Sequence, residues 1–215
     1  MTHRRTGYIP ALGHDWLTPL YDPLVRLTTR ELTFKRELVA QARLQHGERV
    51  LDIGCGTGTL LLLLRDAPAG ARVVGLDGDL KILCLARAKD PALPLVCGVS
   101  SQLPYVDGSF SRVTSTLMLH HLTHAEKLQT LREVYRVLRP AGELHVADWG
   151  KPHNAVMGML SRLLRWGGHG DRVADNLEGR LPELFGSVSF VDVRESAQFS
   201  SMFGTLSLYR ARKPG

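Results

Sequence analysis

The sequence predicts one α/β domain: a doubly wound, seven-stranded, mostly parallel sheet that ends in an antiparallel pair of strands. Three observations carry this. Short apolar runs alternate with helical patterns through most of the chain, as in strand–helix–strand units whose strands pair in parallel. A glycine-rich turn joins the first of these runs to the helix behind it. Near the end, two alternating stretches follow one another with no helix between them, which suits antiparallel pairing. A length of 215 residues fits a single domain, and 44% hydrophobic with 22% charged residues excludes a disordered chain.

The elements follow in order. Asp22 and Pro23 read as an N-cap and a first-turn proline ahead of Leu24, Val25, Leu27, Leu32, Phe34, Leu38, Val39 and Ala42 on one helical face. Glu31 and Lys35 fall inside that stripe four residues apart, so they either pair or line a pocket, and a simple pair is the expectation. Arg49–Ile53 is a short apolar strand, 54–58 a glycine turn and 59–65 the start of a helix. The unit repeats as a strand over 73–77, a helix over 80–88 and a strand over 95–98. Strands follow at 112–117 and 143–148, separated by a helix over about 124–138 that a Pro140–Gly142 stop closes. The closing pair is expected at 187–193 and 203–212.

Charge and cysteine bound the partners. Lys plus Arg (27) less Asp plus Glu (21) gives +6. The excess is spread thinly, with no basic run longer than a pair such as Arg4 and Arg5, so no nucleic-acid partner is expected. Cys55, Cys84 and Cys97 are odd in number and lack C-x-x-C spacing, which points to reduced thiols. The longest apolar run, Leu60 to Leu64, is far short of the roughly 20 residues of a membrane helix, and the N-terminus has no apolar signal core. A cytoplasmic location is the expectation.

The glycine turn carries the chemistry. Gly54, Gly56 and Gly58 alternate where a strand feeds a helix, a place where side chains would block a nucleotide-like ligand. Asp77 ends the next strand, where a carboxylate can take a ribose hydroxyl. A dinucleotide oxidoreductase would show G-x-G-x-x-G; this turn is G-x-G-x-G with Asp52 in front. A carboxylate there disfavours pyrophosphate and favours a ligand with an ammonium and a sulfonium.

The stretch VLDIGCGTGTL (50–60) resembles the first motif of class I S-adenosylmethionine (SAM)-dependent methyltransferases. SSQLPYVDGSFSRVTSTLMLHHL (100–122) and LREVYRVLRPAGELHVAD (131–148) narrow the resemblance to the branch with the ubiquinone and menaquinone biosynthesis methyltransferases, over about 48–150. It implies the Rossmann-like fold of that class, SAM as cofactor and S-adenosylhomocysteine as product. Residues 1–47 would then be a lid segment and helix, 48–152 the SAM-binding core, and 153–215 a lid helix with the closing strands. By the same resemblance Gly54, Gly56 and Gly58 cradle the methionine part, Asp52 lies near its amino group and Asp77 holds the ribose. Cys55, Gly78, Val99, Ser100 and Thr116 complete the implied cofactor contacts. The branch usually has aspartate at the position of Val99, on the adenine amino group. Valine cannot make that bond, which leaves Ser100, Ser101 or backbone groups to replace it.

Methyl transfer from a sulfonium needs alignment in a water-poor pocket more than it needs a catalyst. Where the acceptor must lose a proton, an imidazole is suited to take it. His120 and His121 follow the fourth strand at the ligand-binding end of the sheet and are the catalytic candidates, with packing or helix capping as the alternative. His120 and His124 are also i, i+4 with Asp148 as an imaginable third ligand, but no H-E-x-x-H is present and no metal is expected. Asp148 and Trp149 could orient substrate, or Asp148 could cap the following helix. The stretch with Tyr8, Trp16 and Tyr21 resembles a lid ahead of the core, with Trp16 and Tyr21 as substrate contacts, or is an arm packed on the surface. Val156–Trp166 places Val156, Met157, Met159, Leu160, Leu163, Leu164 and Trp166 opposite Arg162 and Arg165: a lid, a membrane-contacting helix or a helix packed on the sheet. Phe199 and Phe203 read as core.

The function this implies is methylation of a small molecule, quinone-like, phenolic or another biosynthetic intermediate, by a monomer or homodimer. A lipid-headgroup enzyme with peripheral membrane contact and a non-catalytic SAM-binding scaffold or sensor are the alternatives.

Overall fold

The computed structural model describes residues 31–68, 70–164 and 170–215. Tyr8, Trp16, Tyr21, Asp22, Pro23, Arg165 and Trp166 lie outside these residues, as does the side chain of Arg162. The elements run α1 (Glu31–Ala42), β1 (Arg49–Ile53), α2 (Thr59–Arg65), β2 (Arg72–Asp77), α3 (Leu80–Lys89), β3 (Leu95–Cys97), β4 (Phe110–Thr116), a 3-10 turn (Leu119–His121) and α4 (His124–Val137). They continue with β5 (Leu138–Trp149), α5 (Ala155–Leu164), α6 (Gly170–Leu177), α7 (Leu181–Ser187), β6 (Val191–Ser201) and β7 (Gly204–Arg212).

All seven strands form one sheet in the order β3-β2-β1-β4-β5-β7-β6. The first five are mutually parallel, and β7 runs antiparallel to both β5 and β6. The chain winds outward from β1 to β3, then returns to lay β4 on the other side of β1. That reversal opens a crevice at the C-terminal ends of β1 and β4, where open α/β sheets bind ligands.

Strand alternation divides the core into two layers. Leu51, Ile53, Val113, Leu144 and Val146 pack against Leu131, Val134 and Val137 of α4 and Leu184 and Phe185 of α7. On the other face Val50, Val73, Leu206 and Leu208 meet Phe34 and Leu38 of α1 and Leu60, Leu61 and Leu64 of α2. Each such side chain contributes about 1.5–3 kcal/mol by burial. Local signals set the helix that frames the site: α4 starts at a capping box, with the Thr123 hydroxyl accepting from Glu126 N–H and the Glu126 carboxylate accepting from Thr123 N–H. Glu31 and Lys35 pair at 2.5 Å, both buried.

Two boundaries differ from expectation. The Pro140–Gly142 stop does not lie outside the fifth strand: β5 begins at Leu138, directly after α4, and a bulge between its pairings with Phe110 and Arg112 absorbs the extra residues. The sixth strand is not 187–193. Pro182 starts α7, which carries through Ser187, and Val188 and Phe190 then pack in the core with Ser189 at φ 74°. Their alternate burial mimics a strand. The true β6 is the polar edge of the sheet, its exposed Asp192, Arg194 and Glu195 protecting an unpaired flank.

Candidate active site

The glycine turn after β1 needs all three of its glycines, for different reasons. Gly54, Gly56 and Gly58 have φ of 66°, 56° and 78°, a region side chains disfavour. A Cβ at Gly54 would also lie 2.4 Å from Met118 Cγ, and one at Gly58 would lie 3.1 Å from Leu93 Cδ1. A Cβ at Gly56 would meet nothing within 4 Å. Gly54 and Gly58 thus make room for the protein itself, and of the three Gly56 faces open space among the described residues. Gly56 N–H donates to Asp77 Oδ2 at 2.9 Å and Asp79 N–H to Asp77 Oδ1 at 2.9 Å, so the carboxylate that ends β2 ties the turn down. Burial raises the Asp77 carboxyl above its ordinary range despite these bonds.

Asp52 is wholly buried at the end of β1. Thr114 Oγ1 donates to its Oδ1 at 2.8 Å, while Oδ2 has no partner among the described residues. Burial pushes its carboxyl up to about 7; the Thr114 bond and the charge of Lys35 oppose this, and Asp77 adds to it. A buried carboxylate oxygen without a donor is costly unless a cation supplies one. The Cys55 thiol turns away from this cluster into the core, where burial and then the charges of Asp52 and Asp77 drive its pKa far up and leave it inert.

Across the crevice, β4 hands over to the 3-10 turn that carries the two histidines. His120 Nδ1 lies 2.7 Å from Asp148 Oδ1. The same carboxylate accepts from Trp149 N–H at 2.8 Å on Oδ1 and from Leu119 N–H at 2.8 Å on Oδ2. Asp148 is fully buried; burial opposes its charge, but His120, the Trp149 N–H and His121 outweigh burial and hold the carboxyl below its ordinary range. An ionised carboxylate only accepts, so the Nδ1 of a neutral His120 carries the hydrogen and Nε2 carries the lone pair. The His121 ring lies against that of His120 at 4.0 Å, and the Trp149 ring lies 6.1 Å away. Asp148 thus does not cap the next helix; its carboxylate is turned to the 3-10 turn and the His120 ring.

These features coincide with a known family. A methyltransferase-domain model matches residues 50–142. A demethylmenaquinone methyltransferase of Thermus thermophilus is 33% identical over 181 residues, covering 81% of this chain and 79% of its own. The chain belongs to the class I SAM-dependent methyltransferases, in the ubiquinone/menaquinone branch. A ubiquinone/menaquinone biosynthesis C-methyltransferase of Geotalea uraniireducens is 29% identical over 64% of this chain, which spans 62% of that relative. Among solved structures, phosphoethanolamine N-methyltransferase 2 of Haemonchus contortus, in complex with SAM, superposes with a TM-score of 0.75 at 17% identity over 97% of this chain and 61% of its own. A Haloferax volcanii methyltransferase in complex with the Trm112 activator gives 0.70 at 22% identity over 93% and 96%. The cofactor of this methyltransferase is SAM, and the residues fit it: among the described residues a buried Asp52 oxygen lacks a donor, and the space beside Gly56 is clear.

The remaining candidates in this methyltransferase are dispersed around the crevice. Gly78 is exposed in the turn after β2, Val99 is exposed just past β3, and Thr116 ends β4, nearly buried. The Ser100 hydroxyl is 3.0 Å from Thr130 Oγ1 and so is tied to α4. Trp149 is buried and touches Phe203 edge-on at 6.4 Å; Phe203 is half-exposed rather than core. His124 opens α4, separate from the turn of His120, and its Nδ1 lies 3.1 Å from Asp175 Oδ1. The i, i+4 spacing therefore does not make a ligand pair, and among the described residues no group of three or more His, Cys, Asp or Glu is arranged to hold a metal.

Sequence reasoning missed α6 and, with it, Arg172, Asp175 and Asn176. It also missed Lys127, whose wholly buried ammonium donates to Asp175 Oδ2 at 3.2 Å. The signal was present as Val173, Leu177 and Leu181 at spacings of four, an apolar stripe in a segment otherwise polar.

Proposed function

We propose that this protein methylates a small acceptor with an ionisable O–H or activated C–H, a quinol-like or phenolic intermediate, using His120 as general base and Asp148 to orient it. The observation that carries the reading is the 2.7 Å contact between His120 Nδ1 and the buried Asp148 carboxylate. When bound, SAM supplies an electrophilic methyl group on a positively charged sulfur. Asp52 Oδ2 would take its ammonium, the clear space at Gly56 would admit its methionine part, and Asp77 would accept from the ribose hydroxyls. His120 Nε2 would take the acceptor proton as the new bond to the methyl carbon forms, and Asp148 would stabilise the resulting imidazolium. The relatives named as demethylmenaquinone methyltransferases support a quinol-like acceptor.

The test is transfer of labelled methyl from SAM to a short-chain demethylated naphthoquinol. Wild type is expected to label it, and His120→Ala to lose about 10²–10⁴-fold in turnover while binding S-adenosylhomocysteine normally. Labelling of the naphthoquinol at equal rates by both would contradict the base role; labelling of no acceptor, with SAM still bound, would favour the scaffold reading.

A lipid-headgroup acceptor is the second reading, favoured by exposed Val156 and Met159 on α5 and by Met202 and Phe203 at the adjoining β6–β7 hairpin. Among the described residues no helix is long and apolar enough to cross a membrane, so contact would be at the surface. Labelling of phosphoethanolamine or of phosphatidylethanolamine vesicles in place of the naphthoquinol would support it.

A further inference from the structure

The contact between His120 and Asp148 bridges two elements, the 3-10 turn and the end of β5, so its length depends on what fixes one to the other. At the start of the turn, Leu119 N–H donates to Asp148 itself. Its other end is held from outside. Arg172 Nη1 donates to the carbonyl of His121 at 2.6 Å, and Asn176 Nδ2 donates to the carbonyl of Trp149 at 3.2 Å. These two side chains are four residues apart on α6 and share one face of it. One helix thus grips the main chain immediately after each member of the pair, His121 after His120 and Trp149 after Asp148.

The helix is itself anchored on three sides. Lys127 of α4 donates to the Arg172 carbonyl and to Asp175, Asp175 also holds His124, and Val173 and Leu177 enter the core layer that contains Trp149. Asn176 is wholly buried, so its bond to Trp149 does not compete with water. We propose that Arg172 and Asn176 are positioning residues that set the separation of His120 and Asp148, with α6 acting as a clasp across the pair. This rests on the reading of His120 as the base, and its test does not depend on turnover.

The experiment is nitrogen-15 histidine NMR of the full chain saturated with S-adenosylhomocysteine, following the His120 Nδ1–H in wild type, Arg172→Ala, Asn176→Ala, the double variant and Arg172→Lys. The double variant is expected to exchange that proton with water about tenfold faster or more, with S-adenosylhomocysteine affinity within about twofold of wild type, and Arg172→Lys to recover most of the protection. Unchanged exchange in the double variant would overturn the proposal. So would protection, affinity and melting temperature all falling together without rescue by lysine, since that is loss of fold and not of position. Faster exchange in the double variant, alongside a His120→Ala enzyme that still methylates the naphthoquinol at the wild-type rate, would keep the clasp and remove the base.

Discussion

Asp52 shows how one side chain links burial to ligand choice. Oδ2 lacks a donor among the described residues, and burial pushes the carboxyl up to about 7. Because the folded value lies above the unfolded one, its ionisation costs stability as pH rises through about 7, and Asp52→Asn is expected to raise the melting temperature of the free protein at pH 8. A cationic ligand reverses the preference, so SAM binding must expel a proton below that pH. Titration calorimetry from pH 6 to 8 is expected to show affinity rising toward about tenfold per pH unit at the acid end, and a flat profile in Asp52→Asn. The glycines were legible because their positive φ dictates the residue type. The role of Asp148 was not: the carboxylate is 28 residues from His120 and meets it only once β4 and β5 lie side by side.

Elements differ in legibility according to how much of their pattern is local. The helix α4 was found nearly to the residue because the signals that bound it, a Thr123 cap and the Pro140 that follows Leu138, lie next to it in the chain. The edge strand β6 was misplaced because its apolar face, Val193, Ala197 and Phe199, is only half-buried and interrupted by Glu195, and it gains its structure from pairing with β7. The helix α6 was overlooked because its polar residues, Arg172, Asp175 and Asn176, look like a surface until Lys127 and the main-chain carbonyls that they meet are brought to them. Its anchor is therefore a buried ion pair, and removing one partner leaves a buried charge. Lys127→Met is expected to cost about 3–5 kcal/mol in urea unfolding, with much of the loss recovered in Lys127→Met/Asp175→Asn. Equal stability of wild type and Lys127→Met would show that the pair does not anchor α6.

At the scale of the whole molecule the two ends of the sheet do different work. The C-terminal ends of the parallel strands carry the crevice, and their order follows from the predicted alternation and the single reversal beside β1. The opposite end is closed by a buried charged cluster: Arg112 lies 3.2 Å from Glu48 and 3.7 Å from Glu143, and His145 lies 3.2 Å from Glu143, which also pairs with Arg210. Burial raises Glu143, but the His145 bond and the arginines outweigh it and hold it at about 2; burial keeps His145 below its ordinary 6.5. In both cases the unfolded chain binds more protons, so the contribution of these two groups to stability falls as pH drops below about 6.5 and falls more steeply below about 4.5, opposite in sign to that of Asp52. Melting curves from pH 8 to 3 are expected to show this as a difference: the stability gap between wild type and Glu143→Gln/His145→Gln narrows as pH drops. The central claim is that the turn after β1 and the carboxylate that ends β2 form the SAM site. The most direct measurement is isothermal titration of wild type and Asp77→Ala with SAM, S-adenosylhomocysteine and NAD. Binding of the first two but not NAD, weakened by about 1–3 kcal/mol in Asp77→Ala, is the predicted result. Equal affinity of the two proteins for SAM, or binding of NAD alone, would contradict it.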